Sequence, residues 1–225
     1  MRRLLVWSLL CLLTTASTAL AVDPKLDTDD QKTLYALGII LSQNLGPFQL
    51  TEAELAVVQA GLADGILRRD AKVEMKTYGP KVKELSDKRM AATAAGEKKV
   101  GQAFLEKAAG EKGATKTQSG LVISTVKAGN GPSPKATDTV KVNYQGTLTD
   151  GTVFDSSIKR GEPATFPLNR VIPCWTEGVQ LMKVGGKSRL VCPASLAYGD
   201  RGSPRIKPGA TLVFEVELLE IVKPQ

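Results

Sequence analysis

The sequence predicts an α+β protein whose helices and strands are segregated along the chain: an all-helical first half and a second half of antiparallel strands around one short helix. Three observations carry this. Residues 22–112 repeat apolar residues at helical spacing and hold two capping boxes, while the region from Gly113 onward alternates apolar and polar residues between Gly-rich turns. That second region also holds six rings, Tyr144, Phe154, Phe166, Trp175, Tyr198 and Phe214, among apolar positions otherwise filled by aliphatic residues.

At the start of the chain, Met1-Arg2-Arg3, the apolar run Leu4–Leu13 and the small-residue site Ala19-Leu20-Ala21 read as a secretory signal peptide over residues 1–21. The run is too short to span a bilayer, and Thr14, Thr15, Ser17 and Thr18 follow it. Export is the expectation. Cleavage after Ala21 leaves 28 basic and 23 acidic residues, and all of the excess lies in residues 113–225, which carry 14 basic and 9 acidic residues. The cations are scattered singly and carry no nucleic-acid motif, so no nucleic-acid partner is expected.

Within residues 22–112, Thr28 and Gln31 form a capping box ahead of Leu34, Leu37, Leu41 and Leu45, and Gly46-Pro47 closes that helix. Thr51 and Glu54 cap a second helix with the stripe Leu55, Val58, Leu62 and Ile66, in which Gly61 and Gly65 allow close approach of another backbone. From Gly79-Pro80 to about Glu111 runs a long helix rich in Lys, Glu and Ala, too polar near its end to be buried all round. Two short amphipathic helices lack the apolar surface for a core of their own. Their faces find a partner in a second copy across a two-fold interface, or in each other as a monomeric three-helix bundle. Gly110–Gly120, small and polar, reads as a hinge separating this half from residues 113–225.

In the second half, Leu121–Val126 is β-rich, Gly129-Asn130-Gly131-Pro132 turns the chain, and Val140, Val142 and Tyr144 alternate on one strand face. Asp150-Gly151 signals a hairpin that returns through Phe154-Asp155-Ser156-Ser157. Val171-Ile172-Pro173 leads to a short helical segment opened by Trp175, and Leu212, Phe214, Val216 and Leu218 alternate along a last strand. Cys174 and Cys192 are the two cysteines left after cleavage. In an oxidising compartment they form a disulfide joining helix to sheet, or else stay as two buried thiols. Without histidine they complete no usual zinc set, and neither a metal nor any other cofactor is called for. The absence of histidine also excludes Ser-His and Cys-His hydrolases.

The blocks VKVNYQGTL, GTVFDSS, FPLNRVIPCWTEGVQLMKVGGKSRLVCP, LAYGDRG and ATLVFEVELLEI, in that order and spacing, resemble the FKBP family of peptidyl-prolyl cis-trans isomerases. The resemblance implies a half-barrel of antiparallel strands wrapped on a short helix, a proline pocket between them and macrolides as inhibitors. It implies Trp175 as the pocket floor, with Tyr144, Phe154, Phe166, Val171, Ile172, Tyr198, Ile206 and Phe214 as walls and rim. The Ile172 N–H and the Tyr198 hydroxyl then hold substrate carbonyls, and Asp155 faces the twisting amide. Catalysis falls to Asp155, Tyr198, Ile172, Trp175 and Phe154, and substrate binding to Tyr144, Phe166, Val171, Ile206 and Phe214. The order of helices before this domain resembles the secreted Mip-like branch, which implies a homodimer joined through residues 22–112, a periplasmic or outer-membrane-associated location in a Gram-negative source, unfolded or proline-containing exported polypeptides as clients, and chaperone activity. Lys207 departs from the family pattern, which commonly has proline there. A chaperone or surface interaction protein that binds peptide without significant catalysis is the alternative.

Overall fold

In the computed structural model, residues 24–222 are described; the signal-peptide assignment lies outside them. The chain divides into two compact units, which among the described residues are 24–41 and 42–222. The first contributes most of α1 (Asp29–Ser42), opened by the anticipated box, in which Thr28 accepts from the Gln31 N–H at 3.2 Å and Gln31 accepts from the Thr28 N–H at 3.0 Å. No residue of α1 is buried, and Leu34, Leu37, Ile40 and Leu41 all stand exposed.

The second unit begins with a 3-10 turn, Gln43–Phe48, which contains Gly46-Pro47. Helix α2 (Glu52–Ile66) follows, with Thr51 and Glu54 reciprocally bonded at its start. Glu54 serves twice: it also accepts from Arg89 at 3.1 Å, and Arg89 donates to the Phe48 carbonyl at 2.6 Å. Hydrogen bonds from Arg89 and then Thr51 bring the Glu54 carboxyl down to about 2. A Cβ added at Gly61 or Gly65 would have nothing within 4 Å among the described residues, and Leu55, Leu62 and Ile66 are exposed.

Helix α3 (Met75–Ala109) starts earlier than the sequence suggests and carries Pro80 inside it. A proline this near the N-terminus removes one early N–H and leaves the rest of the ladder intact, so Gly79-Pro80 does not restart the chain. Its end is also less exposed than its polarity implies, because Ala94, Gly101, Leu105 and Ala108 are buried. A side chain at 101 is impossible without movement, since an added Cβ would lie 2.2 Å from Thr211 Oγ1. Glycine therefore sets how closely α3 docks.

The rest is one antiparallel sheet with α4 (Ser157–Arg160) and α5 (Pro173–Gln180). Its strands are β1 (Ala114–Lys116), β2 (Val122–Lys127), β3 (Thr139–Leu148), β4 (Val153–Ser156), β5 (Ala164–Pro167), β6 (Lys187–Cys192) and β7 (Leu212–Val222). The order is β1-β2-β6-β7-β3-β4, with β5 also on β3. The supposed hinge at 110–120 thus contains an edge strand, β1, in register with Val122–Ser124. Three residues are too few for an alternation to read; main-chain pairing with β2 and the packing of Ala114 against the cluster beneath α3 hold them there. Helix α5 is opened by Pro173 at its first position, two residues before Trp175.

Alternation along β3 sends Val140, Val142 and Tyr144 into the core with Trp175, Val179, Leu190, Leu212, Val216 and Leu218. On the opposite sheet face, Val122, Val191 and Val213 meet Leu105 and Ala108 of α3. The sheet is thereby covered by α5 on one face and by α3 on the other. Cys174 and Cys192, both fully buried, are bridged and tie α5 to the end of β6.

Candidate functional site

Trp175, 4% exposed, is the hub of the site. Its ring meets three others edge to face: Tyr144 at 5.1 Å between centroids, Phe214 at 5.4 Å and Phe166 at 5.7 Å. Such perpendicular contacts set the positive edge of one ring against the negative face of the next and fix the rings in place. Phe154 joins through Phe214 at 5.6 Å. Both rings cross Gly146, where an added Cβ would fall 2.6 Å from Phe154 and 2.9 Å from Phe214. The Asp150-Gly151 hairpin delivers Phe154 and Asp155 on β4 opposite β3, with Gly151 at φ +88°.

These side chains enclose a hollow of about 450 Å³ lined by Tyr144, Phe154, Asp155, Phe166, Arg170, Val171, Ile172, Trp175, Tyr198 and Phe214. Nine of the ten residues expected around the pocket are therefore brought together. The tenth, Ile206, is buried and lines an adjoining hollow with Phe154, Asp155 and Tyr198. The N–H of Ile172, at the N-cap of α5, has no partner among the described residues, nor does the Tyr198 hydroxyl. Trp175 Nε1 is buried without an acceptor among them.

Asp155 is the single carboxylate in this lining. It accepts from the Tyr144 hydroxyl, from Arg160 Nη1 at 2.5 Å and from the Ser156 N–H at 2.8 Å, while Arg160 Nη2 also reaches the Tyr144 hydroxyl at 3.1 Å. Burial pushes Asp155 up, but the bonds from Tyr144 and Arg160 and the Arg160 charge outweigh it and leave the carboxyl below its ordinary value. Burial, and then the Asp155 carboxylate, raise Tyr144. The pair is thus an ionised carboxylate and a neutral phenol, both with their bonds committed to each other and to Arg160. Arg160 and Arg170 escaped the sequence reading. The signal for Arg160 was its place five residues after Asp155, with only one short turn of helix between them.

An aromatic cup with a fixed carboxylate at its rim, and without a nucleophile–base pair among its lining residues, is a hollow suited to an apolar ring. Residues 131–219 match the model of the FKBP-type peptidyl-prolyl cis-trans isomerase, and residues 30–123 that of the domain amino terminal to it. The chain is 44% identical to the FKBP-type isomerase FkpA of Escherichia coli over 220 residues, covering 92% of this chain and 82% of that protein. It is 39% identical to the outer membrane protein MIP of Legionella longbeachae, covering 92% and 93%. The crystal structure of FkpA from Escherichia coli superposes with a TM-score of 0.64 at 41% identity, covering 87% of this chain and 97% of that one. The chain belongs to the FKBP-type peptidyl-prolyl cis-trans isomerases, and its activity is the cis-trans isomerisation of X-Pro bonds.

Proposed function

We propose that this isomerase acts by desolvation in the aromatic pocket, on proline-containing segments of exported polypeptides, as a homodimer that also restrains client aggregation. Rotation about X-Pro must give up amide resonance, at a barrier of about 18–20 kcal/mol. Water stabilises the dipolar planar amide more than the twisted one, so transfer into a dry, ring-lined cup lowers the barrier. Trp175 is the floor for the proline ring; Tyr144, Phe154, Phe166, Val171 and Phe214 are the walls, and Ile206 extends the rim. The Ile172 N–H and the Tyr198 hydroxyl, both without a partner among the described residues, take substrate carbonyls. Asp155 faces the twisting amide as a fixed charge.

The observation that carries this reading is the committed state of Asp155: held ionised by Tyr144 and Arg160, it is poorly placed to shuttle protons. The test is turnover of a short X-Pro peptide in H2O and in D2O. A rate ratio close to one is expected; a ratio of about two or more would mean a proton in flight in the rate-limiting step.

The dimer rests on the exposed leucines of α1 and, separately, on those of α2. Apolar stripes of this kind without cover are interaction surfaces, and a second copy supplies matching ones. The division into residues 22–112 for dimerisation, with a long connecting helix, and 113–225 for isomerisation follows the same reading. So do periplasmic export and macrolide binding in the pocket.

A further inference from the structure

The prolyl pocket does not end at its rim. Phe154, Asp155 and Tyr198 also line an adjoining hollow with Ser203, Pro204, Arg205 and Ile206. That hollow shares its 203–206 wall with a groove of about 510 Å³, lined also by Gln43 and Pro47 of the 3-10 turn and by Gln49 just after it. Through these shared lining residues the three cavities abut in series, from the cup to the 201–208 loop.

Its charge is one-sided. The groove lining carries Arg201, Arg205 and Lys207 and no carboxylate. The cup carries Arg170 on its wall, and its one carboxylate, Asp155, is occupied by Arg160 and Tyr144. Lys207 is paired with Glu97 at 3.2 Å, and Asp200 beside the groove is taken by Lys98. Arg201 and Arg170 have no ion-pair partner among the described residues, and Arg205 has only the Phe154 carbonyl at 3.4 Å. The guanidinium forks left over suit carboxylates, which they bind through two parallel bonds.

We propose that the 201–208 loop and the facing 3-10 turn form an extension of the prolyl site that selects polypeptide segments bearing Asp or Glu close to the isomerising proline, with Arg201 and Arg205 as the residues that set this preference. It rests on the isomerase reading and deepens it, naming an acidic flank as the substrate class. The basic excess of residues 113–225 thereby acquires a location at the mouth of the site. Exposed pairs of this kind are screened by salt, so the selection is strongest at low ionic strength.

The test uses three peptides that share one X-Pro core and carry Glu, Gln or Lys at the flanking positions. For the full chain, kcat/KM is expected to rank Glu over Gln over Lys, with a spread of about threefold to tenfold at low salt that shrinks in high salt. Arg201→Gln with Arg205→Gln collapses the spread, whereas Lys116→Gln with Lys127→Gln, which lie on β1 and β2 and line none of these cavities, leaves it in place. Equal turnover of the three peptides, an unchanged spread in the arginine variant, or an equal collapse in the lysine variant overturns the proposal. A folding defect lowers all three rates together and leaves their ratio alone. Calorimetric binding of the same peptides reads the ranking without turnover. A chain that binds the Glu peptide best but isomerises none keeps the acidic selection and loses the desolvation mechanism.

Discussion

Arg160 donates to Asp155 at 2.5 Å and lies with its guanidinium carbon 5.6 Å from the centre of the Tyr144 ring, so one cation pins two polar groups of the pocket lining. Its loss frees the carboxylate to rotate and to take up a proton. Arg160→Ala is expected to lower kcat/KM on a short X-Pro peptide by about threefold to tenfold, while Arg160→Lys recovers part of it. Both variants should unfold at nearly the parent temperature, which differential scanning calorimetry checks.

The pH dependence follows from Asp155. Its folded pKa is depressed, so the interactions that hold it contribute stability above the unfolded value of about 3.9 and lose it as pH falls through the folded value. With no histidine in the chain, nothing of that type titrates between pH 5 and 8. The expected profile of kcat/KM is flat across that range and falls only on the acid side. A midpoint near pH 6.5 would mean that another group controls the site.

The Cys174–Cys192 bridge closes a loop of sequence separation 18 beneath Trp175. Replacing both cysteines by alanine should lower the unfolding free energy in urea by about 3 kcal/mol. Because α5 carries the pocket floor, the variant's loss of activity should track its unfolding with temperature.

Gly101 and Thr211 set the docking of α3 on the sheet. Gly101→Ala gains about 1 kcal/mol of helix propensity but overlaps both Oγ1 and Cβ of a buried threonine, at 2.2 and 2.9 Å. Overlap of this severity outweighs the gain, for a net loss of about 1–2 kcal/mol. Adding Thr211→Ala should return part of it, read from the urea midpoint.

A chain beginning at Met75 lacks α1, the 3-10 turn and α2 but keeps the α3 residues that pack on the sheet. It should sediment as a monomer, isomerise a neutral X-Pro peptide at a rate close to that of the full chain, and protect an aggregating client poorly. Equal protection by the two forms would remove the helices from the chaperone role.

What could be read in the sequence was what is decided locally. The boxes at Thr28/Gln31 and Thr51/Glu54, the alternation of Val140, Val142 and Tyr144 and the turn at Asp150-Gly151 depend on neighbours within a few residues. What could not be read depends on distant partners. Met75 starts α3 because Pro80 costs only one hydrogen bond there. Ala114–Lys116 is a strand because β2 offers an edge, and Gly101 is buried because Thr211 arrives from over a hundred residues away. The ten pocket residues were legible through resemblance, nine around one cup and Ile206 beside it. Arg160, Arg170 and the basic groove were not, because isolated arginines look like solvated surface until the fold gathers them.

The most direct test of the account is isomerisation of a short neutral X-Pro peptide by residues 22–225, with and without a macrolide, beside a Trp175→Ala variant checked for folding. The account predicts fast turnover by the parent, abolished by the macrolide, and a folded variant reduced by about tenfold or more through loss of the ring that floors the cup. Turnover that ignores both the macrolide and the loss of Trp175 would place the catalysis outside this pocket and contradict it.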